Sequence, residues 1–252
     1  MNQKIEKLKE MYANTSKHSN YQILASELQK HLTNDEIDVK SRNENIRLDY
    51  FLKNVDIKDK NILDIGGNTG FFTFEFLKNG ASSLEYYEGN EEHAKFVQLA
   101  SEVLGYTDIL SVHNKYYNFD QEKKYDVILL LNVLHHLGDD FGDDKASKEK
   151  ALETIIEHMK TMAKQTNILV FQLGFNWKGD RNLPLFENGT KKELIDFITS
   201  NLSNEFEILN IGVAEEVNDK IIYTNLNDKN IQRVDSLGEF LNRPIFIMKS
   251  KK

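Results

Sequence analysis

A short glycine-rich stretch, LDIGGNTGFF at residues 63–72, carries the first residues whose types and spacing indicate chemistry. An apolar run surrounds Asp64, and glycines at positions 66, 67 and 70 precede a phenylalanine-rich segment. Glycine lets a backbone turn sharply and approach a ligand closely, and a helix that follows presents free N–H groups. The stretch therefore predicts a strand, a tight turn and a helix that bind a nucleotide-like ligand.

The glycine spacing departs from the dinucleotide-binding pattern G-x-G-x-x-G. Gly66 and Gly70 are four residues apart, and Asn68 stands where a middle glycine would be. Asparagine adopts left-handed backbone angles more readily than most residues, so we still expect the turn. Glu88 ends the next predicted strand, where an acid accepts hydrogen bonds from ribose hydroxyls.

Two adjacent histidines, His135 and His136, follow the apolar run YDVILLL. Neutral imidazole is suited to removing a proton near neutral pH, so the pair contains the candidate catalytic base. An acidic run comes next, at Asp139, Asp140, Asp143 and Asp144. With a histidine these acids could hold a divalent cation. We expect them instead to begin a helix at Lys145, and we predict no metal.

The candidate acceptor-binding residues lie in and beside long connections. The segment Gly174–Gly189 contains the only tryptophan, Trp177, with Arg181 nearby. An aromatic face with hydrogen-bond donors suits a sugar ring or a phosphate, although packing within the loop explains the tryptophan equally well. Gln172, at the preceding strand end, is expected to point towards the same space. A lid formed by residues near the N-terminus adds Tyr21, with Tyr12 and His18.

Apolar periodicity predicts the elements that position these residues. Helical spacing covers Met1–Tyr12, Tyr21–Leu32 and Arg42–Asn54, and no strand is predicted before residue 61. Seven strands are predicted, at residues 61–65, 84–88, 109–113, 125–131, 167–173, 206–213 and 244–249. Helices are predicted between them at 70–79, 91–104, 145–164 and 191–202. Alternating strands and helices indicate an α/β fold with a parallel sheet and helices on both faces.

Two motifs together resemble class I S-adenosylmethionine-dependent methyltransferases. LDIGGNTG looks like the D-x-G-x-x-x-G variant of that family's first motif, and YDVILLLNVLHHLGDD looks like its fourth strand and following loop. The resemblance covers residues 61–252. It implies a Rossmann-like seven-stranded sheet with a reversed last strand, after a helical extension or lid at residues 1–60. Independently of the resemblance, the long connections at 174–189 and 214–243 leave carboxyl ends of predicted strands, where ligands of parallel sheets bind, so we expect both insertions on the pocket side.

The same resemblance implies S-adenosyl-L-methionine as cofactor. Asp64 would face its methionine part, Glu88 its ribose and Asn132 its methionine end, whereas the family's third-strand acid is replaced by Asn114 at the adenine. The cofactor-binding residues expected in this way are Asp64, Gly66, Gly67, Asn68, Gly70, Glu88, Asn114 and Asn132.

Composition narrows the class of protein. The chain has 252 residues, no cysteine, 40% hydrophobic residues and a formal net charge of −8 at pH 7. No cysteine means no disulfide, thiol nucleophile or thiolate metal site. The acidic balance argues against a nucleic-acid partner, and no apolar run reaches the length of a membrane span. These features favour a cytoplasmic enzyme, and they leave its oligomeric state open.

The leading hypothesis is methyl transfer to an oxygen of a small polar acceptor. The resemblance extends to bacterial enzymes that methylate sugars, sugar nucleotides or capsule phosphoramidate precursors, as in capsule polysaccharide biosynthesis. A first alternative is tRNA modification, because GGNTGFF also resembles the family that installs a carboxymethyl group on a wobble uridine. A second alternative is a scaffold that binds the cofactor without turnover.

Overall fold

The computed structural model describes residues 2–13, 22–32 and 41–252. Over these residues the chain is a mixed α/β fold with eight strands and seven α-helices. It divides into two compact units. The first comprises Met1–Leu52 and Asp56–Tyr117, and the second comprises Lys53–Val55 and Asn118–Lys252.

The first unit contains three parallel strands in the order β3-β2-β1. They are β1 (Asn61–Ile65), β2 (Ser83–Glu88) and β3 (Leu110–Asn114), connected by α3 (Phe71–Lys78) and α4 (Glu91–Leu104). Earlier in the chain come α1 (Asn2–Ala13) and α2 (Glu44–Asn54). Helix α4 has the bounds that the sequence predicts, because Asn90 caps its first turn and left-handed Gly105 ends it.

The predicted helix at Tyr21–Leu32 is wrong over the residues described there. Only a short 3-10 turn forms, at Leu28–Lys30. The N–H of Ser26 donates to the carboxylate of Glu75 on α3 at 2.5 Å, and Leu24 and Leu28 are buried. Tertiary contacts with α3 therefore hold a segment that has isolated helical hydrogen bonds but no continuous α-helix.

The second unit contains five strands in the order β4-β5-β8-β6-β7. They are β4 (Tyr125–Leu131), β5 (Thr166–Gln172), β6 (Phe206–Val217), β7 (Lys220–Asn225) and β8 (Ile245–Ser250). The helices of this unit are α5 (Lys148–Gln165), α6 (Lys191–Leu202) and α7 (Gly238–Leu241). Strand β4 is parallel to β5, whereas β8 lies antiparallel between β5 and β6. The reversed last strand is confirmed.

The sequence predicted seven strands, and the additional one in the structure is β7. It forms a hairpin with β6 inside the predicted insertion 214–243. The two-residue turn consists of Asn218 and Asp219, with φ of 52° and 60°. Both left-handed angles suit a tight hairpin, and Asn and Asp are among the residues that tolerate them.

Helix α5 begins at Lys148 rather than at the predicted Lys145. The hydroxyl of Ser147 caps it by accepting from the N–H of Lys150 at 3.2 Å. The expectation that Asp139, Asp140, Asp143 and Asp144 begin this helix is therefore wrong. Asp143 instead accepts from the N–H of Lys145 in a local turn before the helix.

Among the described residues, no helix combines the length and the apolar character that crossing a bilayer requires.

Candidate cofactor turn and active-site loops

The glycine-rich stretch forms the predicted strand, turn and helix in the first unit. Between β1 and α3, Gly66, Asn68 and Gly70 have φ of 70°, 52° and 79°. The turn therefore uses three left-handed residues, and asparagine fills the middle position as expected. A Cβ on Gly70 would lie 2.9 Å from a methyl group of Val97, so space as well as backbone angle requires glycine there.

Gly67 and Asp64 form the buried inner side of this turn. A Cβ on Gly67 would lie 2.5 Å from the Tyr86 ring and 2.8 Å from the Asp64 carboxylate. That carboxylate accepts from the Thr73 hydroxyl at 2.7 Å, and the Tyr86 hydroxyl donates to the carbonyl of Asn68. Asp64 is 3% exposed, and its side-chain hydrogen bond is to Thr73 of α3. A direct contact with the cofactor stays a prediction.

Burial raises the pKa of Asp64 to about 7, from its ordinary value of 3.8. The hydrogen bond from Thr73 opposes this shift, and the charge of Glu88 adds to it. Asp64 thus has an electrostatic preference for a proton or for a nearby cation, such as an ammonium group.

Glu88 connects the cofactor turn to the start of α4. One carboxylate oxygen accepts from the N–H of Asn68 at 2.9 Å, and the other accepts from the N–H of Asn90 at 2.8 Å. These two bonds anchor Glu88 at the strand end, beside the cofactor turn. Its contact with the ribose hydroxyls stays a prediction.

The end of β3 lies beside Glu88. Asn114 is exposed and is the register partner of Glu88. Tyr116, which the sequence analysis did not select, is 54% exposed and lies against the backbone of Gly89. An exposed aromatic ring next to the ribose acid is a candidate contact for a nucleobase. Its only sequence signal is an aromatic residue two positions after a strand end.

Gln22 also contacts the turn, and the sequence analysis did not select it either. Its side-chain oxygen accepts from the N–H of Phe71 at 3.2 Å and from the hydroxyl of Thr69 at 3.3 Å. Gly70, the N-cap of α3, has no side chain to satisfy those first N–H groups. The missing cap thus comes from a residue 49 positions earlier in the chain.

In the second unit, Asn132 belongs to a ring of three residues. The guanidinium of Arg243 donates to the Asn132 side-chain oxygen at 2.8 Å, and the Asn132 amide donates to Gln172 at 2.8 Å. Gln172 in turn donates to the carbonyl of Arg243 at 2.9 Å. Glu239 holds the guanidinium through two bonds, of 2.9 and 2.7 Å. Gln172 is therefore fully engaged in joining the ends of β4, β5 and β8.

The two candidate catalytic histidines differ in their surroundings. His135 is 2% exposed, and its ring lies against Gly174, where a Cβ would come within 2.7 Å. His136 is partly exposed, and its Nδ1 lies 3.4 Å from a carboxylate oxygen of Asp140. The structure thus places a carboxylate at ion-pair distance from His136, which the sequence did not reveal. Of the two, His136 has the surroundings of a proton acceptor.

Ligand atoms of His136, Asp139 and Asp140 all lie within 4.8 Å of one another. Imidazole and carboxylate groups at this spacing are able to hold a divalent cation. The contacts between the imidazole and the carboxylates also account for the cluster without a metal.

Trp177 is buried in the loop after β5. Its indole N–H donates to the carbonyl of Leu137 at 2.7 Å, and the Lys178 ammonium lies 4.7 Å from the ring centroid. These contacts connect the loop after β5 to the loop after β4. Arg181 is exposed on the same segment. Tyr21 and His18 lie outside the described residues, and the acceptor-binding roles stay predictions.

The comparisons with known proteins agree with this geometry. Residues 63–164 match the family model described as a methyltransferase domain. The match begins at the cofactor turn and ends in α5, so it includes both candidate histidines. No curated protein sequence matches the chain.

Several solved structures share the fold. The bifunctional kinase-methyltransferase WbdD has a TM-score of 0.52 and 15% identity, covering 85% of this chain and 41% of that chain. TehB from Haemophilus influenzae has a TM-score of 0.52 and 15% identity, covering 88% and 65%. Magnesium protoporphyrin IX methyltransferase from Synechocystis, with bound S-adenosylmethionine, has a TM-score of 0.51 and 12% identity, covering 98% and 96%.

The matched segment is thus similar to a methyltransferase domain, and the chain is an enzyme. Its methyl donor is S-adenosylmethionine. The residues of the first unit are compatible with that cofactor, since the turn has glycines where a Cβ would clash with neighbouring side chains, and the acid Glu88 is anchored beside the turn.

Proposed function

We propose that this enzyme transfers the methyl group of S-adenosylmethionine to an oxygen of a small polar acceptor. A sugar, a sugar nucleotide or a capsule phosphoramidate precursor fits this description. The observation that carries the proposal is the pair of His136 and Asp140, 3.4 Å apart, on the loop after β4. A hydroxyl acceptor loses a proton during methyl transfer, and an imidazole oriented by a carboxylate can take that proton.

The cofactor supplies an electrophilic methyl group, and the chain's own residues do the rest. The carboxylate of Asp140 favours the His136 tautomer with the proton on Nδ1, which leaves Nε2 as the proton acceptor. The cofactor turn with Glu88 holds the donor, and the ring formed by Asn132, Gln172 and Arg243 fixes the start of the loop that carries His136. The acidic net charge of −8 favours a small acceptor over a polyanion.

Two other functions remain as outcomes of one experiment. The chain is incubated with methyl-labelled S-adenosylmethionine and either total tRNA or a fraction of sugars and sugar nucleotides. We expect label in the small-molecule fraction. Label in tRNA would favour the tRNA-modifying alternative, and binding without transfer to either fraction would favour the scaffold.

The role of His136 is tested with the accepted substrate. We expect His136→Ala to lower kcat about 100-fold, the order typical of a lost general base, with cofactor affinity changed less than about threefold. His31→Ala, which makes the same change in the N-terminal segment, serves as control and should leave kcat unchanged. An unchanged kcat in His136→Ala would refute the proton-transfer role and would indicate an acceptor that is already ionised.

A further inference from the structure

Gln22 offers a hydrogen-bond donor at the cofactor turn, and its hydrogen-bond partners fix the orientation of its side-chain amide. A backbone N–H can only donate, so the side-chain atom that faces the N–H of Phe71 must be the oxygen of the Gln22 amide. The hydroxyl of Thr69 donates to the same oxygen. The amide nitrogen of Gln22 therefore lies on the other side of the group, with two N–H donors.

The position of Gln22 is supported from several sides. The hydroxyl of Tyr12, a buried residue of α1, donates to the Gln22 carbonyl at 3.0 Å. Four residues later, Ser26 is bonded to Glu75 and Lys78 of α3, at 2.5 and 2.6 Å. The segment is thus attached along α3, and Gln22 is held at the end of that helix that adjoins the turn.

The amide nitrogen of Gln22 bonds to none of the described residues. Its side chain is half-buried beside Thr69 and Phe71, so its N–H donors are accessible at the turn. The cofactor has three kinds of strong acceptor, which are the ribose oxygens, the adenine nitrogens and the carboxylate of its methionine moiety. The carboxylate of Glu88 can only accept hydrogen bonds. It stands at the end of β2 and accepts from the N–H of Asn68, a position that suits the ribose hydroxyls. The carboxylate of the methionine moiety, by contrast, needs hydrogen-bond donors and is repelled by an acidic side chain.

We infer that Gln22 binds the cofactor, with its amide N–H groups donating to the carboxylate of the methionine moiety. The inference rests on the proposed function only for the identity of the cofactor. Gln22 then has two roles in one side chain, since its oxygen caps α3 and its nitrogen contacts the ligand. The two roles are separable by experiment.

Gln22→Glu separates them, because a carboxylate keeps the acceptor for Phe71 and Thr69 but replaces the donors with a negative charge. We expect this variant to fold and to bind S-adenosylmethionine at least tenfold more weakly in calorimetry, as for a lost hydrogen bond to a charged group. Binding of decarboxylated S-adenosylmethionine, which lacks only the carboxylate, should change less than twofold. Gln98→Glu on an exposed position of α4 introduces the same charge and should leave both affinities unchanged.

Each other result contradicts the inference. If Gln22→Glu binds S-adenosylmethionine as tightly as the original chain does, Gln22 is only a cap. If it loses affinity for both ligands equally, the variant has distorted the turn rather than removed a carboxylate contact. If the original chain binds neither ligand, the cofactor assignment fails together with the inference, and that outcome is distinct from the first two.

Discussion

At the scale of single residues, Asp64 links the cofactor turn to pH. Its pKa of about 7 exceeds the ordinary 3.8, so the folded chain keeps a proton on Asp64 that the unfolded chain releases. A raised folded-state pKa gives stability that is complete below about pH 4 and is lost as the pH rises to about 7. Above pH 7 the folded state carries a buried charge at this position.

We expect Asp64→Asn to be more stable than the original chain at pH 8, with a difference that shrinks towards pH 5. Asparagine resembles the protonated acid and can still accept from the Thr73 hydroxyl. The free energy of unfolding in urea at both pH values measures the effect. Asp49→Asn, at an exposed position of α2, is the matched control. A constant difference across this pH range would contradict the raised pKa.

The sequence predicted the residues of the cofactor turn better than it predicted their partners. The left-handed angle of Asn68 and the position of Glu88 at a strand end follow from local spacing, and both are confirmed. Gln22 and Tyr116 were missed because each contacts a segment that is not its neighbour in sequence. Gln22 bonds to Phe71, and Tyr116 lies against Gly89 in the connection after β2. A side chain that reaches the turn from 49 residues away leaves no local pattern.

At the scale of elements, the ion pair of Arg243 and Glu239 holds the ends of three strands. The side chains are 10% and 23% exposed, so the pair is largely shielded from water. Burial alone would raise the pKa of Glu239, but the hydrogen bonds and charge of Arg243 outweigh burial and lower it. The same guanidinium donates to Asn132, whereas Gln172 donates to the backbone carbonyl of Arg243.

We expect Arg243→Met to lower the free energy of unfolding by about 3 kcal/mol, because removal of one partner leaves a buried carboxylate uncompensated. Lys192→Met is the matched control, since Lys192 pairs with the exposed Asp196 and should contribute about 1 kcal/mol or less. Urea unfolding measures both variants. Equal losses would show that the ring at the strand ends adds nothing beyond an ordinary ion pair.

The elements show where sequence periodicity suffices and where it does not. Helices α4 and α6 and strands β1 and β4 have the predicted bounds, because apolar spacing and end signals agree there. Strand β7 was missed because its apolar residues, Ile221, Ile222 and Tyr223, are consecutive and do not alternate with polar residues. The helix predicted at Tyr21–Leu32 is absent from its described part, because the segment has apolar residues at helical spacing without a continuous run of helical hydrogen bonds.

At the scale of the whole molecule, binding the cofactor should stabilise the fold. S-adenosylhomocysteine at 100 times its Kd adds about 2.7 kcal/mol to the free energy of unfolding. For a chain of this length, that corresponds to a rise in Tm of about 5 to 10 °C. If two thermal unfolding transitions are resolved, we expect the Tm to rise in the transition of the first compact unit, because that unit contains the cofactor turn.

Differential scanning calorimetry with NAD at the same concentration provides the control. The glycine spacing departs from the dinucleotide pattern, so NAD should leave Tm unchanged. A larger shift with NAD than with S-adenosylhomocysteine would contradict the assignment of the turn.

The N-terminal cap of α3 limits how far the chain can be truncated from its N-terminal side. The segment that matches the methyltransferase family begins at residue 63, yet the side chain that completes its first turn is at position 22. A chain shortened to the family match would keep every residue of the motif and leave the N–H of Phe71 without its acceptor. The working boundary of the domain therefore lies at least 41 residues before the motif, counting from Gln22 to Leu63.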